Sequence, residues 1–567
     1  MAHTDTTVLV AGGGTAGLST ALFLRQHNVA CTLVERCERT SIHPRARGIL
    51  GRTGELFREL GLDDPLRAAG AELGLSFGRP RGETLRAALD AVSPEQHAKA
   101  QEDVIDLVFG AGGVLDISPT GPFRCPQEAM EPILLAAARE RGADVRFATE
   151  LTDFQQDEDG VSAMVADRKS GTRHTIRADY LVAADGAGQH VRERLGIGAE
   201  RGGPFGHMLS VLFHADLAEL VRGREFGAAV LENPKACGVL RPINNTDRWV
   251  FLMFLDLGSV PGAEEYTPAR CAESLHAAIG VEDLDIDVQS VLPWTAELSV
   301  ADTFAKGRVF LAGDAAHRMP PWRGQAATIA VQDAHNLAWK IAAVHAGKAY
   351  PSLLSTYDAE RRPVALEYAR ESILRDHDLT DVGRVDQSVA RLMGGGGQYA
   401  SAAVLPEDDR PAKPLPIGEL VLDGRPGTRV PHAWVEHEGR RISTLDLTGR
   451  GFVLLAARDG SAWCDAVCQV AWRLGADLTA YRVDPDAGDP DERRRGGGKY
   501  GRVVDKSDGG EADGWAARAG LTPTGALLVR PDGIVGWRCR ARPRGVGSDR
   551  DPRLLIAEAY LKIVGRP

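Results

Sequence analysis

The chain has 567 residues, 43% of them hydrophobic and 26% charged, with a formal net charge of −11. That charge, with a pI near 5.8, excludes the basic face that nucleic-acid binding requires. No apolar stretch approaches the roughly 18 residues that cross a bilayer, and MAHTDTTVLV runs toward an apolar strand without a signal-peptide pattern. A cytoplasmic protein of roughly three to four domains is the expectation, and the eight scattered cysteines, without metal-ligand spacing, fit a reducing compartment and no metal.

The first element is the most informative. In TVLVAGGGTAGLSTALFL, Val8, Leu9 and Val10 read as a buried strand, too short and β-branched for a helix. It enters a turn, Gly12-x-Gly14-x-x-Gly17 with Thr15 and Ala16 inside it, and then a helix. Such glycines permit a tight turn, approach of backbone to a pyrophosphate, and close helix–strand packing. The helix start favours the anion through its free N–H groups and dipole. A second strand, CTLVER, ends at Glu35 and Arg36, Glu35 lying 23 residues after Gly12. A carboxylate there can take both hydroxyls of an unphosphorylated ribose.

Two later stretches repeat the strand-then-turn pattern. ADYLVAADGAGQHVRERLGI carries Asp185-Gly186 after a buried strand, with Arg192 beyond. GRVFLAGDAAHRMPPWRGQAATIAVQDAHNLAWK puts Gly313-Asp314 at the end of another strand, then Pro320-Pro321, then a helix over about 329–343. NAD and FAD share the first fingerprint; the combination of all three stretches resembles the class A FAD-dependent aromatic hydroxylases of the para-hydroxybenzoate hydroxylase fold.

The resemblance implies an FAD cofactor, with Asp314 on its ribityl chain and the following helix start near its pyrimidine ring. HPRARGI places Arg45 at the family's flavin-side arginine, and CPQEAMEPIL places Gln127 where a glutamine meets the cofactor. Leu151, Pro321, Gly324, Ala326, Ala327 and Thr328 complete the implied cofactor set. Gln189 stands where the family has Ser, while Arg323, Ala326 and Thr328 replace a Gly-rich loop ending in Gly-x-Asn. Arg323 reads either as a solvated loop residue or as a cation beside the flavin or the pocket; it and Arg45 are the two catalytic candidates, and no base can be picked.

Between the cofactor segments, HMLSVLFHADL, ACGVLRPINN and RWVFLMFLDLG read as antiparallel strands. The family places its substrate domain here. Phe213, Arg241, Trp249, Phe251 and Met253, with Pro320 and Trp322, are the substrate-facing candidates, and most of the strand residues are expected to be plain core, as aromatic and Met residues in strands usually are. The division expected is an α/β FAD-binding domain from 1–190 and 300–395, and an antiparallel substrate domain over 191–299 with part of 75–110. A linker over 396–416 and a domain of three or four strands over 417–567 follow. PGTRVPHAWV and LVRPDGIVGWR in that last domain resemble the thioredoxin-like domain of phenol hydroxylase and of aromatic polyketide hydroxylases. Its WCDAVC has three residues between Cys464 and Cys468, one more than a thioredoxin-type redox motif, so both read as small buried hydrophobes. The basic runs 493–495 and 538–544 read as solvated loops.

One GxGxxG leaves NAD(P)H without a domain of its own, so it would visit as a co-substrate. The implied chemistry is reduction of the flavin, formation of a C4a-hydroperoxide with O2, and oxygen transfer to a phenolic, polycyclic aromatic polyketide. A Baeyer–Villiger insertion on the same scaffold, and a flavoprotein that sequesters substrate without oxygenating it, stay open. The absence of a WxWxIP run argues against a halogenase. A monomer or homodimer acting on a small molecule is expected.

Overall fold

Val8, Leu9 and Val10 lie at zero exposure in the middle of a parallel sheet, as a continuous apolar run that ends in glycines demands. The computed structural model describes residues 3–43, 47–73, 79–110, 112–188, 190–255, 266–281, 283–321, 324–374, 393, 397–407, 420–484, 500–506, 514–542 and 551–566. In chain order, β1 (His3–Ala11), α1 (Thr15–Gln26) and β2 (Cys31–Val34) form the opening βαβ unit. After α2 (Leu85–Asp90) and α3 (Gln127–Glu140) come β3 (Asp144–Arg146), a hairpin of β4 (Thr149–Gln156) and β5 (Val161–Asp167), and β6 (Arg173–Ala183).

A second sheet follows: β7 (Ala199–His214), β8 (Ala229–Asn233), β9 (Ala236–Pro242), β10 (Arg248–Leu255), α4 (Pro268–Ile279) and β11 (Asp287–Ala301). The chain then returns to the first sheet through β12 (Val309–Leu311), and α5 (Ala326–His345) and α6 (Ser352–Leu374) pack against it and each other. β12, β6, β1, β2 and β3 lie side by side, all parallel. Their carboxyl ends therefore share one edge, the edge at which open α/β sheets bind ligands. α5 begins one turn earlier than the apolar pattern suggested, because Ala326 and Ala327 are strong helix formers and no glycine or proline separates them from Ile329.

The second sheet is seven-stranded, with β11, β7, β10, β9 and β8 antiparallel in that order and Arg81–Gly82 as a parallel edge on β8. Both its faces are apolar. One packs Phe213, Trp249, Phe251 and Met253 against α2 and α4; the other carries Leu212, Val239, Val250 and Leu252.

Among the described residues the last domain holds seven strands rather than three or four, with two longer helices: β13 (Trp434–His437), β14 (Arg440–Ser443), β15 (Phe452–Ala456), α7 (Ser461–Leu474), β16 (Leu478–Asp484), β17 (Gly501–Asp505), β18 (Ala526–Val529), β19 (Val535–Cys539) and α8 (Pro552–Ile563). β13 and β14 are four residues each and mix Glu436, His437, Arg440 and Arg441 with Trp434, Val435 and Ile442, so no sustained apolar alternation announces them. Arg538, expected in a solvated loop, is buried in β19 and donates to Glu407 Oε2 at 2.7 Å; 493–495 and 543–544 lie outside the described residues. Part of the expected linker is anchored: Tyr399 accepts from Arg361 Nη1 at 2.8 Å and Ser401 donates to Glu360 Oε1 at 2.7 Å. Cys464 is fully buried, but Cys468 only half so. No described helix is long and apolar enough to cross a membrane, and no described cluster of three or more His, Cys, Asp or Glu is placed to hold a metal.

Candidate active site

The three glycines of the first turn have different reasons to be glycine. At Gly12, with φ +115°, a Cβ would stand 2.1 Å from the Ala184 carbonyl oxygen, so the end of β1 can touch the end of β6 only without a side chain. At Gly17 a Cβ would stand 1.8 Å from the Gly12 oxygen. Gly14 is extended at φ −81°, open to any residue, and its Cβ would meet only Glu131 Oε1 at 3.6 Å. Nothing in the protein requires glycine there. The space it leaves lies at the N-terminus of α1, which has no side-chain cap, and a twelve-residue helix start with unspent amides fits an anion such as a pyrophosphate.

The carboxylate of Glu35 braces this turn. Oε2 accepts from Gly13 N at 2.6 Å and Oε1 from Cys37 N at 2.7 Å, leaving one lone-pair direction per oxygen for a ribose. Arg36 is exposed. β4 starts beside Glu35, where Thr149 N donates to the Glu35 carbonyl at 2.9 Å, and Leu151 follows, half-buried against the core. Asp185 is half-buried, its Oδ2 accepting from Val191 N at 3.2 Å and its Oδ1 without a partner; burial pushes its carboxyl up. Arg192 turns inward onto Ser299 Oγ at 3.0 Å.

Gln127 does not stand alone. It donates at 2.7 Å to Glu131 Oε1, which also takes the Thr15 hydroxyl at 3.1 Å, while Glu131 Oε2 takes Ser41 N at 3.1 Å. This buried glutamate joins α3, the first turn of α1 and the loop after β2. A carboxylate one turn beyond Gln127 on an otherwise core-facing stripe was the available signal for it.

Gly313 at φ +61° brings its turn onto α1: a Cβ there would stand 2.8 Å from that of Ala16. Asp314 projects outward, exposed, with no hydrogen bond to the described residues. The turn is held from behind by Asp333 of α5, whose Oδ2 accepts from Gly313 N at 3.2 Å and meets His317 Nε2 at 2.7 Å, while Oδ1 takes Arg361 Nε at 2.8 Å. Burial raises the Asp333 carboxyl, but His317 and Arg361 outweigh it and hold it below the usual range. Beyond the turn, Pro320 is buried, Pro321 half-buried and Gly324 exposed at φ +64°. α5 then begins at Ala326 without a side-chain cap; Ala326 and Ala327 are half-buried and Thr328 buried. Arg45, Gln189, Trp322 and Arg323 lie outside the described residues, so neither catalytic candidate can be placed.

The substrate-facing candidates divide by strand parity. Phe213, Trp249, Phe251 and Met253 are core beneath α2 and α4, so these four expectations are corrected. The Trp249 indole is spent on the Ala215 carbonyl at 2.9 Å. The face toward the cofactor segments carries Ser210, Leu212, Val250, Leu252, Val239 and Arg241 instead, as the pairings Ser210↔Leu252, Leu212↔Val250, Val239↔Leu252 and Arg241↔Val250 require. The loop after β2 reaches over this face, with His43 Nε2 2.8 Å from Ser290 Oγ. Of the five strand candidates, Arg241 alone belongs here.

Set against known proteins, residues 5–372 match the FAD binding domain family model and residues 423–567 the aromatic-ring hydroxylase C-terminal model. The chain belongs to the FAD-dependent aromatic-ring hydroxylases. It is 40% identical to the tetracenomycin B2 monooxygenase-dioxygenase of Streptomyces olivaceus over 99% of this chain and 98% of that one. Identity to the aklavinone 12-hydroxylase of Streptomyces purpurascens is 36%, over 94% and 95%. Among solved structures, a ternary complex of aklavinone-11 hydroxylase with FAD and aklavinone superposes with a TM-score of 0.80 at 33% identity, covering both chains fully. The flavin-dependent monooxygenase PieE with FAD and substrate gives 0.81 at 26%, covering 99% of each. As a hydroxylase of this family the chain takes FAD as its cofactor and O2 and NAD(P)H as co-substrates. The gap at Gly14, the unpartnered Asp314 and the uncapped α5 start fit that cofactor's pyrophosphate, ribityl chain and ring end.

Proposed function

We propose that this hydroxylase acts on a phenolic, polycyclic aromatic polyketide lying on the Leu212–Val250–Leu252 face, in the biosynthesis of a secondary metabolite. The observation that carries the reading is the convergence of the Gly14 gap and the Gly313–Asp314 turn on α1, with that apolar face reached by the loop after β2 through His43 and Ser290. Bound FAD supplies the redox chemistry and the activation of oxygen. The chain's residues do the rest. Gly12, Gly14 and Gly17 let backbone reach the pyrophosphate, with Thr15 and Ala16 beside it. Glu35 takes the ribose and Asp314 the ribityl chain; Gln127, with Glu131 behind it, walls the site. The α5 start, with its aligned amides, stabilises negative charge at the ring end. The apolar face orients a flat substrate and excludes water.

The C-terminal domain supports a thioredoxin-like reading by its sheet: β16 parallel to β15, then β18 and β19 antiparallel, with α7 following β15. Buried Cys464, its thiol pushed up to about 12 by burial, fits a structural use of that scaffold. The test is to load the protein with FAD, follow NADPH and NADH oxidation against a panel of polycyclic phenols, and analyse the products by mass. One added oxygen supports the reading; nucleotide oxidation that yields only hydrogen peroxide with every phenol overturns it.

A further inference from the structure

We propose that Arg47 and Arg241 form an anion-recognition site at one end of the substrate face, and that the aromatic substrate carries a carboxylate there. The proposal rests on the reading of that face as the substrate's. Arg241 stands on β9 directly across from Val250, on the face that holds Val239 and Leu252. Its Nε is buried without an acceptor, and the guanidinium makes no hydrogen bond or ion pair with any described residue. A buried donor of this kind is met in nearly all native structures, by protein, water or ligand.

Arg47 arrives from the loop after β2. It donates to two neutral acceptors, the carbonyls of Pro242 and of Gly227, the latter at 3.0 Å. Those bonds aim the side chain at the end of β9 without cancelling its charge. Burial, then the neighbouring guanidiniums of Arg241 and Arg124, pull Arg47 well below the usual arginine range; burial and Arg79 bring Arg241 down to about 10. The carboxylate facing Arg47 is Glu128, which burial itself pushes toward the neutral form and which lies 4.0 Å from Arg248. The loop after β2 and the end of β9 thus bring like charges together beside an apolar surface. An anion between them resolves the repulsion, and the planar forks of two arginines suit the two oxygens of a carboxylate. Rings on Val239, Val250 and Leu252 with a carboxylate on the arginines describe an aromatic acid.

Two matched probes test this on the FAD-loaded, full-length protein: anthraquinone-2-carboxylate and its neutral carboxamide, each titrated by the change in flavin absorbance. The acid is expected to bind at least tenfold tighter than the amide. Arg241→Met should erase that preference while leaving amide binding within twofold, and Arg241→Lys should keep part of it. Arg241→Gln serves if the Met variant does not fold. Equal binding of acid and amide to the parent protein, or a preference that survives loss of Arg241, overturns the proposal and leaves the face reading intact. If neither probe perturbs the flavin, the face reading fails and this site with it.

Discussion

Glu360 offers the most demanding test of how the domains are joined. It lies on α6 at 1% exposure and accepts five hydrogen bonds. Oε1 takes Arg530 Nη1 at 2.6 Å and Ser401 Oγ at 2.7 Å; Oε2 takes Lys340 Nζ at 2.8 Å, Asn336 Nδ2 at 2.7 Å and Arg530 Nη2 at 2.9 Å. Arg530 comes from the C-terminal domain and pairs also with Asp532, while Lys340 comes from α5. Glu360→Gln keeps the shape but leaves two buried cations facing the single charge of Asp532. Removing one partner of a buried pair costs about 3–5 kcal/mol, and at roughly 2–4 °C per kcal/mol for domains of this size the melting temperature should fall by about 6–20 °C. Adding Lys340→Met restores one cation to one anion, so the double variant should recover at least ~1 kcal/mol relative to additivity. Thermal melts followed by tryptophan fluorescence report it directly, since Trp339 lies 5.2 Å from the Arg530 guanidinium. A loss below about 1 kcal/mol, or strictly additive variants, would refute the account of this network.

Other outcomes follow from the same geometry. Gly14→Val, at a position whose backbone accepts any residue, should leave the melting temperature of the flavin-free protein unchanged and abolish FAD retention on gel filtration. Asp314→Ala and Glu35→Ala should each weaken FAD by about tenfold or more, from the ~1.5–3 kcal/mol of a charge-assisted bond. Only the Glu35 change should also lower flavin-free stability, since Glu35 alone holds backbone amides. Replacing Cys464 and Cys468 together by Ser should leave turnover unchanged with a modest stability loss; lost turnover in a folded variant would revive a redox role. His432 is held down to about 3 by burial and then by Arg429. The unfolded chain binds this proton near pH 6.5 and the folded one does not, so its contribution is complete above that pH. It is lost at about 1.4 kcal/mol per unit as pH falls from 6.5 toward 3, and His432→Gln should flatten that limb in chemical denaturation series.

What could be read from the sequence depended on how local its cause was. The first turn and the Gly313–Asp314 turn follow from a buried strand meeting glycine, so both were legible. The substrate face was not. Its sheet is apolar on both sides, one covered by α2 and α4 and the other turned to the cofactor segments, so alternation shows two faces without saying which is which. A choice shifted by one residue swaps Phe213, Trp249, Phe251 and Met253 for Leu212, Val250 and Leu252. The charged supports were hidden by distance: Asp333 needs Arg361, and Glu360 needs Arg530 from another domain. A clue existed in α5, an almost entirely buried helix carrying Asp333 and Lys340, since charges in such a helix must be paired.

The most direct test of the central claim is the fate of molecular oxygen. With the FAD-loaded protein, NADPH or NADH and a polycyclic phenol that stimulates nucleotide oxidation, the reaction is run under oxygen-18 gas and the organic product analysed by mass spectrometry and NMR. The account predicts one labelled oxygen, as a new hydroxyl on an aromatic ring. Label found only in peroxide or water, with the phenol recovered unchanged, would contradict it.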